Sequence, residues 1–398
     1  MRQEDYIKRA EDHLLHVYQR FPVVFDHGEG VHLYDTDGRE YLDAGSGIGV
    51  MALGYNDPEY NRILHGQVDK LLHSSNLYYT PPLAAAAEAV TGASGMDRVF
   101  FTNSGAEAIE GALKTAKKHA YLRNPEDRQE IIAMNHSFHG RTVGALSVTG
   151  TKHYREPFYP LMDGVRYADF NDLNSVTGQM GEEVCAIILE TIQGEGGIIP
   201  ADRDFLRGVR RLCDRTNTLL IIDEIQCGMG RSGRMFAYQD YNIRPDILTT
   251  AKALGLGLPV GAFCVTEELA ASSLAPGDHG TTYGGNPLAC AAVTASIELM
   301  SRRRIPEHVA ELSPYFEAML ARMTDRYDFI HSHRGRGFMR GLVTDLAPGQ
   351  VAARALAEGL VILTAGTDVI RLLPPLIFEK RDFDEMEEKL TAVFRSFC

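Results

Sequence analysis

No stretch of this 398-residue sequence holds the ~18 consecutive apolar residues that a helical membrane span requires. The first residues, MRQEDYIKRAEDHLLHVYQRF, alternate charge with apolar side chains and lack the continuous apolar core of a signal peptide, so a cytoplasmic protein without membrane partners is expected. Cysteine is sparse: Cys185, Cys213, Cys227, Cys264, Cys290 and Cys398 form no CxxC pair and no framework spacing, which excludes a disulfide scaffold and a clustered metal site. Basic residues are outnumbered, and a net charge of -13 leaves no cationic surface for nucleic acid. Repeats, low-complexity tracts and long Pro- or Ser-rich linkers are also missing. A small-molecule ligand is what these absences leave.

What is present is ordinary for a globular chain: 44% hydrophobic and 23% charged residues, over a length that suits two or three domains. The opening reads as a helix to about Tyr18, followed by a hairpin, VHLYDTDG and REYLDA, turning at Asp37-Gly38. Short apolar runs at 98–101, 130–134, 185–189, 218–222, 247–249 and 262–265 read as strands, with helical patterns such as 205–213 between several of them. That alternation predicts an α/β fold with a largely parallel sheet covered by helices on both faces. After Asn286 a long helical stretch, 287–302, leads into smaller pieces around 340–344, 361–363 and 370–372, read as a second, smaller α+β domain. Ligands of open α/β sheets gather at the carboxyl ends of the strands, so polar residues there carry the search.

Three of them stand out. Phe101-Thr-Asn-Ser-Gly-Ala-Glu follows a strand, and Ser104 and Glu107 have capping-box spacing ahead of an apolar face at Ile109, Ala112, Leu113, Ala116 and Ala120. Gly105 and Ala106 leave the first-turn amides uncovered, which makes an anion site suited to phosphate or simply a well-capped helix. Asp223 ends the apolar strand LLIID, where a carboxylate needs a cation, several donors or solvent. A protonated pyridine nitrogen is one such partner; a metal is another, although no GxxxxGK[ST] loop accompanies it. Lys252 follows a buried strand and precedes Gly255 and Gly257; in a dry pocket its charged form is disfavoured and it can form a Schiff base, whereas in an open loop it is inert. Together and in this order, the three fit the phosphate, ring nitrogen and aldehyde of pyridoxal phosphate, whose ring becomes an electron sink when an aspartate keeps it protonated.

With these residues in place, the chain resembles the class III, fold-type I aminotransferases over nearly its whole length, from VHLYDTDGREYLDAGSGIGV to IRLLPPLIF. The resemblance implies a large domain around a mostly parallel sheet of the seven-stranded type (residues 56–286), a C-terminal small domain (287–398) and an N-terminal segment (1–55) packing with the latter. It assigns Ser104, Gly105 and Ala106 to the cofactor phosphate, Asp223 to the ring nitrogen, Gln226 to the phenol oxygen and Lys252 to the covalent link. It assigns Phe138 to stacking on the ring, with His139 beside it, and Thr282 to the phosphate of a neighbouring subunit, which implies a homodimer with shared sites.

The same resemblance makes Arg141 and Arg371 the ligands of substrate carboxylates, work that suits arginine because its planar fork meets a carboxylate bidentately. Glu195, in QGEGG, is implied to pair with Arg371 for donors that react at a far-end amine and to swing away for 2-oxoglutarate. At ~4 Å and an effective dielectric near 20 such a pair is worth roughly 4 kcal/mol before desolvation, small enough to switch. Within the group the chain looks most like enzymes that take the δ-amine of N2-acetylornithine. Ornithine (through Tyr79), succinylornithine or 4-aminobutyrate as donor, a racemase-like relative and a cofactor-binding protein without turnover are the alternatives. Two departures from the family pattern are Gly54-Tyr-Asn-Asp-Pro, where Gly-His-x-His-Pro is common, and Glu190-Thr191, where Glu-Pro is common. Gly228-Met-Gly-Arg-Ser-Gly matches GxGxxG but is followed by aromatic, turn-rich sequence, and is read as a structural loop.

Overall fold

The computed structural model describes residues 1–126 and 129–398. Its central sheet runs in the order Arg98–Thr102, Gly261–Val265, Ile247–Thr250, Leu219–Asp223, Val184–Glu190, Glu130–Met134, Val165–Ala168, the inner strands being apolar runs buried on both sides. Gly261–Val265 runs antiparallel to both its neighbours and the remaining pairs are parallel, so the sheet is mixed but mostly parallel. Val165–Ala168, the strand at one edge, has no apolar run to announce it, and the sequence pattern passes over it.

Side-chain alternation sorts the strand residues between two apolar layers. Ile131, Ile188 and Ile221 pack with Ile109, Leu113 and Ala116 of the helix Gly105–Arg123. Ile132, Ile187 and Ile222 pack on the opposite face with Phe205, Leu206 and Val209 of the helix Arg203–Thr216. The first helix lies very close to the sheet: a Cβ on Gly111 would stand 2.2 Å from Phe263 Cε1.

The helix Pro287–Arg302 runs over the range its sequence pattern predicts, capped by the Asn286 side chain accepting from the Ala289 amide at 2.9 Å. Beyond it an antiparallel sheet in the order Ile330–Arg336, Met339–Thr344, Val369–Leu372, Leu363–Ala365 is flanked by the helices Ile305–Arg326, Pro348–Ala357 and Lys380–Arg395. The expected single piece at 361–363 is in fact divided: Leu360–Val361 leaves this sheet and pairs in parallel with Leu42 and Asp43 of the N-terminal hairpin. The first helix is shorter than its charge pattern suggests and ends at Glu11. The Tyr55 hydroxyl donates to the buried Asp43 carboxylate at 2.6 Å, and Asp57 caps the helix Pro58–Val68, which gives two of the Gly54-Tyr-Asn-Asp-Pro residues structural partners. The GxGxxG segment is a turn-rich loop followed by the short 3-10 helix Ala237–Tyr241 rather than by an α-helix opening on it; its Arg231 is fully buried and donates to Phe338 O, Pro374 O and Ser46 Oγ.

Candidate active site

The carboxyl ends of Val184–Glu190, Leu219–Asp223 and Ile247–Thr250 and the start of the helix Gly105–Arg123 surround a cavity of about 420 Å³. Its size falls in the range of small-molecule sites. At the helix start Ser104 Oγ accepts from the Glu107 amide at 3.2 Å, while Glu107 reaches back to the Asn103 amide at 2.8 Å rather than to Ser104, so the expected capping box is displaced by one residue. Gly105 and Ala106 line the cavity, and a Cβ on Gly105 would come within 2.9 Å of Ile225 Cδ1. First-turn amides have no partner within their own helix, which leaves them to a ligand.

Asp223 sits at the end of its strand, buried, with Oδ2 2.7 Å from His139 Nδ1 and Oδ1 accepting from the Ile225 amide at 2.9 Å. His139 Nε2 is buried and has no hydrogen-bond partner among the described residues. Strand register sets Glu190 directly beside Asp223. Glu190 accepts from the amides of Phe138 (3.2 Å) and Gly194 (3.1 Å), and burial pushes its carboxyl up to about 7.

Lys252 stands opposite this acidic edge at φ +49°, a left-handed conformation that a non-glycine residue holds only where its surroundings enforce it. Burial pulls its ammonium below the ordinary lysine value; Asp223, Glu195 and Glu190 oppose that shift and Arg371 reinforces it. The chain therefore keeps an amine with an enlarged uncharged fraction inside the cavity.

Arg371, on the strand Val369–Leu372, is buried and its Nη1 donates to Glu195 Oε1 at 2.5 Å and to Gln226 Oε1 at 3.4 Å, while its Nε has no partner among the described residues. Arg141 lies across the cavity on an exposed turn, its guanidinium carbon 3.9 Å from the Tyr154 ring centroid and 5.4 Å from that of Phe138. The site thus has a helix start facing the cavity, a hydrogen-bonded acid, an amine, one paired cation and one stacked cation.

Residues 15–394 match the class-III aminotransferase family. This chain belongs to the class-III aminotransferases. It is 44% identical over 394 residues to the acetylornithine aminotransferase of Methanocaldococcus jannaschii, covering 99% of each chain. Its fold is similar to an ornithine aminotransferase structure from Toxoplasma gondii with PLP at partial occupancy in the active site (TM-score 0.95, 30% identity, 99% and 94% of the two chains). It is also similar to the N-acetylornithine aminotransferase structure from Stenotrophomonas maltophilia K279a (TM-score 0.85, 36% identity, 98% and 99%).

In this class-III chain Ser104, Gly105, Ala106, Phe138, His139, Arg141, Glu195, Asp223, Gln226 and Lys252 all line the one cavity, and Arg371 reaches it through Glu195 and Gln226. Tyr79 and Thr282 do not line it: both are exposed, and Tyr79 borders a separate groove beside the helix Pro81–Ser94. Sequence reading left out Glu190, which lines the cavity, and Glu224, which is buried next to Asp223 in the chain. Glu190 carries the same signal as Asp223, an acid closing an apolar strand. Glu224 is buried, accepts from the Ala237 and Tyr238 amides and the Thr191 hydroxyl, and is pushed by burial to about 7. The Thr191 departure thereby places a hydroxyl donor against Glu224 at 3.1 Å, a bond a proline there could not make.

Proposed function

We propose that this enzyme, with pyridoxal phosphate as cofactor, transfers the terminal amine of N2-acetylornithine to 2-oxoglutarate. The observation that carries the reading is the pairing, at 2.5 Å, of Arg371 with Glu195, which lines the same cavity as Lys252 and Asp223. A donor that presents only an amine to the cavity leaves a buried arginine uncompensated unless a carboxylate of the protein pairs with it, and Glu195 does so. A dicarboxylate acceptor supplies its own charge to Arg371, and Glu195, on a glycine-flanked turn, is free to give way. Arg141, which stacks on Tyr154 and has no hydrogen-bond or ion-pair partner among the described residues, is available to the far carboxylate.

The residues present fit the cofactor. The uncovered helix start at Ser104, Gly105 and Ala106 would hold its phosphate, Asp223 oriented by His139 its ring nitrogen, Phe138 its face, Gln226 its phenol oxygen and Lys252 its aldehyde. When bound, pyridoxal phosphate supplies an electron sink for the carbon that carries the amine. Lys252, with its lowered affinity for a proton, is the group placed to take a proton from that carbon and return it.

The same reading has the enzyme act as a homodimer in the cytoplasm. Leu71, Leu72, Leu77, Tyr78 and Tyr79 are exposed on a segment joined to the 281–285 loop by Asn76 Nδ2 donating to Gly284 O at 2.6 Å. Such a surface supports burial against a second copy, with Tyr79 and Thr282 serving that copy's cavity. All six cysteines are unpaired, as suits a reducing compartment. The division at residues 1–55, 56–286 and 287–398 goes with this, supported by the pairing of the N-terminal hairpin with Leu360–Val361. Steady-state kcat/KM for N2-acetylornithine, ornithine, succinylornithine and 4-aminobutyrate, read as glutamate formed from 2-oxoglutarate, tests the donor. N2-acetylornithine is expected to lead; a higher value for another donor overturns the assignment and leaves the reaction class standing.

A further inference from the structure

We propose that Glu190 is a positioning residue that ties the two walls of the cavity together, so that the gate residue Glu195 is set by the wall that carries Phe138 and Arg141. One wall is the loop 135–141 and the other the turn Gly194–Gly197, and Glu190 touches both with a single carboxylate. Its Oε2 accepts from the Phe138 amide at 3.2 Å and its Oε1 from the Gly194 amide at 3.1 Å. Gly194 is the residue before Glu195, so this bond holds the near end of the hinge about which Glu195 must turn. Two further contacts join the same walls: Gln193 Nε2 donates to Asn135 O at 2.9 Å, and a Cβ on Gly196 would stand 2.7 Å from His136 O. On its other side the turn is wedged against Gln226, whose Oε1 lies 2.5 Å from where a Gly194 Cβ would be. Glu190 itself is locked by the register that pairs it with Asp223. The turn thus has a rigid floor, and Glu195 meets Arg371 from a fixed pivot rather than from a free loop.

The consequence for selectivity rests on the reading of Glu195 and Arg371 given above. A carboxylate accepts from two N–H groups at once, whereas the glutamine amide sets an NH₂ group against one of them. Glu190→Gln therefore releases one wall, loosens the Glu195–Arg371 pair and favours donors that bring their own carboxylate to Arg371. The test, run at about pH 8 where Glu190 is ionised, uses the holoenzyme and its Glu190→Gln, Glu195→Ala and doubly substituted forms. Amide hydrogen exchange over 135–141 and 191–197 reads the tie, and the ratio of kcat/KM for N2-acetylornithine to that for glutamate reads the gate. The expected result is faster exchange in both segments of Glu190→Gln and a roughly tenfold lower ratio, the size of one lost hydrogen bond to a charged group. In the Glu195→Ala background the substitution at 190 then leaves the ratio where it is. Unchanged exchange in both segments, or an equal loss for both donors, overturns the proposal. An unaltered ratio in Glu195→Ala alone overturns the gate reading instead, and the exchange result still judges the tie. Glu190→Asp, which keeps the charge but shortens the reach, carries the same expectation at smaller amplitude and covers a failure of Glu190→Gln to fold.

Discussion

Asp223 and Glu190 close neighbouring strands in matched register, yet their surroundings separate them. Asp223 has a ring nitrogen, an amide and the Thr249 hydroxyl against it; Glu190 has two backbone amides and is pushed up to about 7 by burial, with Asp223 adding to the shift and His139 opposing it. The charged groups that face Glu190 are Asp223, His139 and Lys252. A carboxyl raised above its unfolded value holds its proton longer in the folded state. Its contribution to stability is full below the ordinary value of 4.5 and is lost as pH rises through about 7. That contribution is about 3 kcal/mol at most. Urea unfolding at about pH 5 and about pH 8 is expected to show a smaller difference between the two conditions in Glu190→Gln than in the parent chain. At Lys252, Lys252→Ala is expected to lower kcat on the order of 10³-fold, because the amine is both attachment point and proton carrier in the proposed reaction. Steady-state assays with saturating cofactor check it. Lys252 and Asp223 are legible in the sequence because Asp223 ends an apolar strand and Lys252 follows one, each ahead of a turn; the lowered proton affinity of Lys252 is legible only as a condition, since it depends on walls that close from elsewhere in the chain.

At the scale of elements, the helix Gly105–Arg123 brings its start to the cavity and covers one face of the sheet. Propensity alone favours alanine over glycine at Gly111 by roughly 1 kcal/mol. Packing decides the other way, because the added methyl would stand 2.2 Å from the Phe263 ring. Gly111→Ala is expected to destabilise the chain by about 1–3 kcal/mol, measured by chemical denaturation, and a stabilised variant would refute the close-approach account. The helix and its apolar face were readable from periodicity, and so were six strands of the central sheet. Val165–Ala168 was not, since an edge strand buries too little to need an apolar run. Nor was the division of residues 360–365 between two sheets, because Leu360–Val361 is drawn away by partners more than 300 positions distant in the chain while Leu363–Ala365 pairs with the nearby Val369–Arg371.

On the scale of the whole molecule, the N-terminal hairpin, the Gly228–Gly233 loop and the C-terminal sheet meet at Arg231. This guanidinium is fully buried, burial lowers its proton affinity to about 9, and Asp43 opposes that shift. Arg231→Ala leaves three oxygen acceptors short of a donor and takes a compensating cation from near the buried Asp43; it is expected to cost about 3–5 kcal/mol or prevent folding, read as a fall in thermal midpoint. The exposed Leu71–Tyr79 segment makes a separate prediction: Leu77→Asp is expected to shift the sedimentation coefficient toward a monomer and to reduce turnover with it.

By itself the sequence determined what local patterning and motif order can carry: the alternating α/β architecture, the long helix 287–302, the Ser104-capped helix start and the family to which the chain belongs. Those properties follow from residues close together in the chain, where periodicity and turn chemistry act directly. Tertiary structure alone decided which side chains meet. It set Arg371 on Glu195 across 176 positions, Glu190 beside Asp223 and between two loops, and Tyr79 and Thr282 away from their own cavity. Such pairings are fixed by strand order and register, and by the burial that makes an unpaired charge costly.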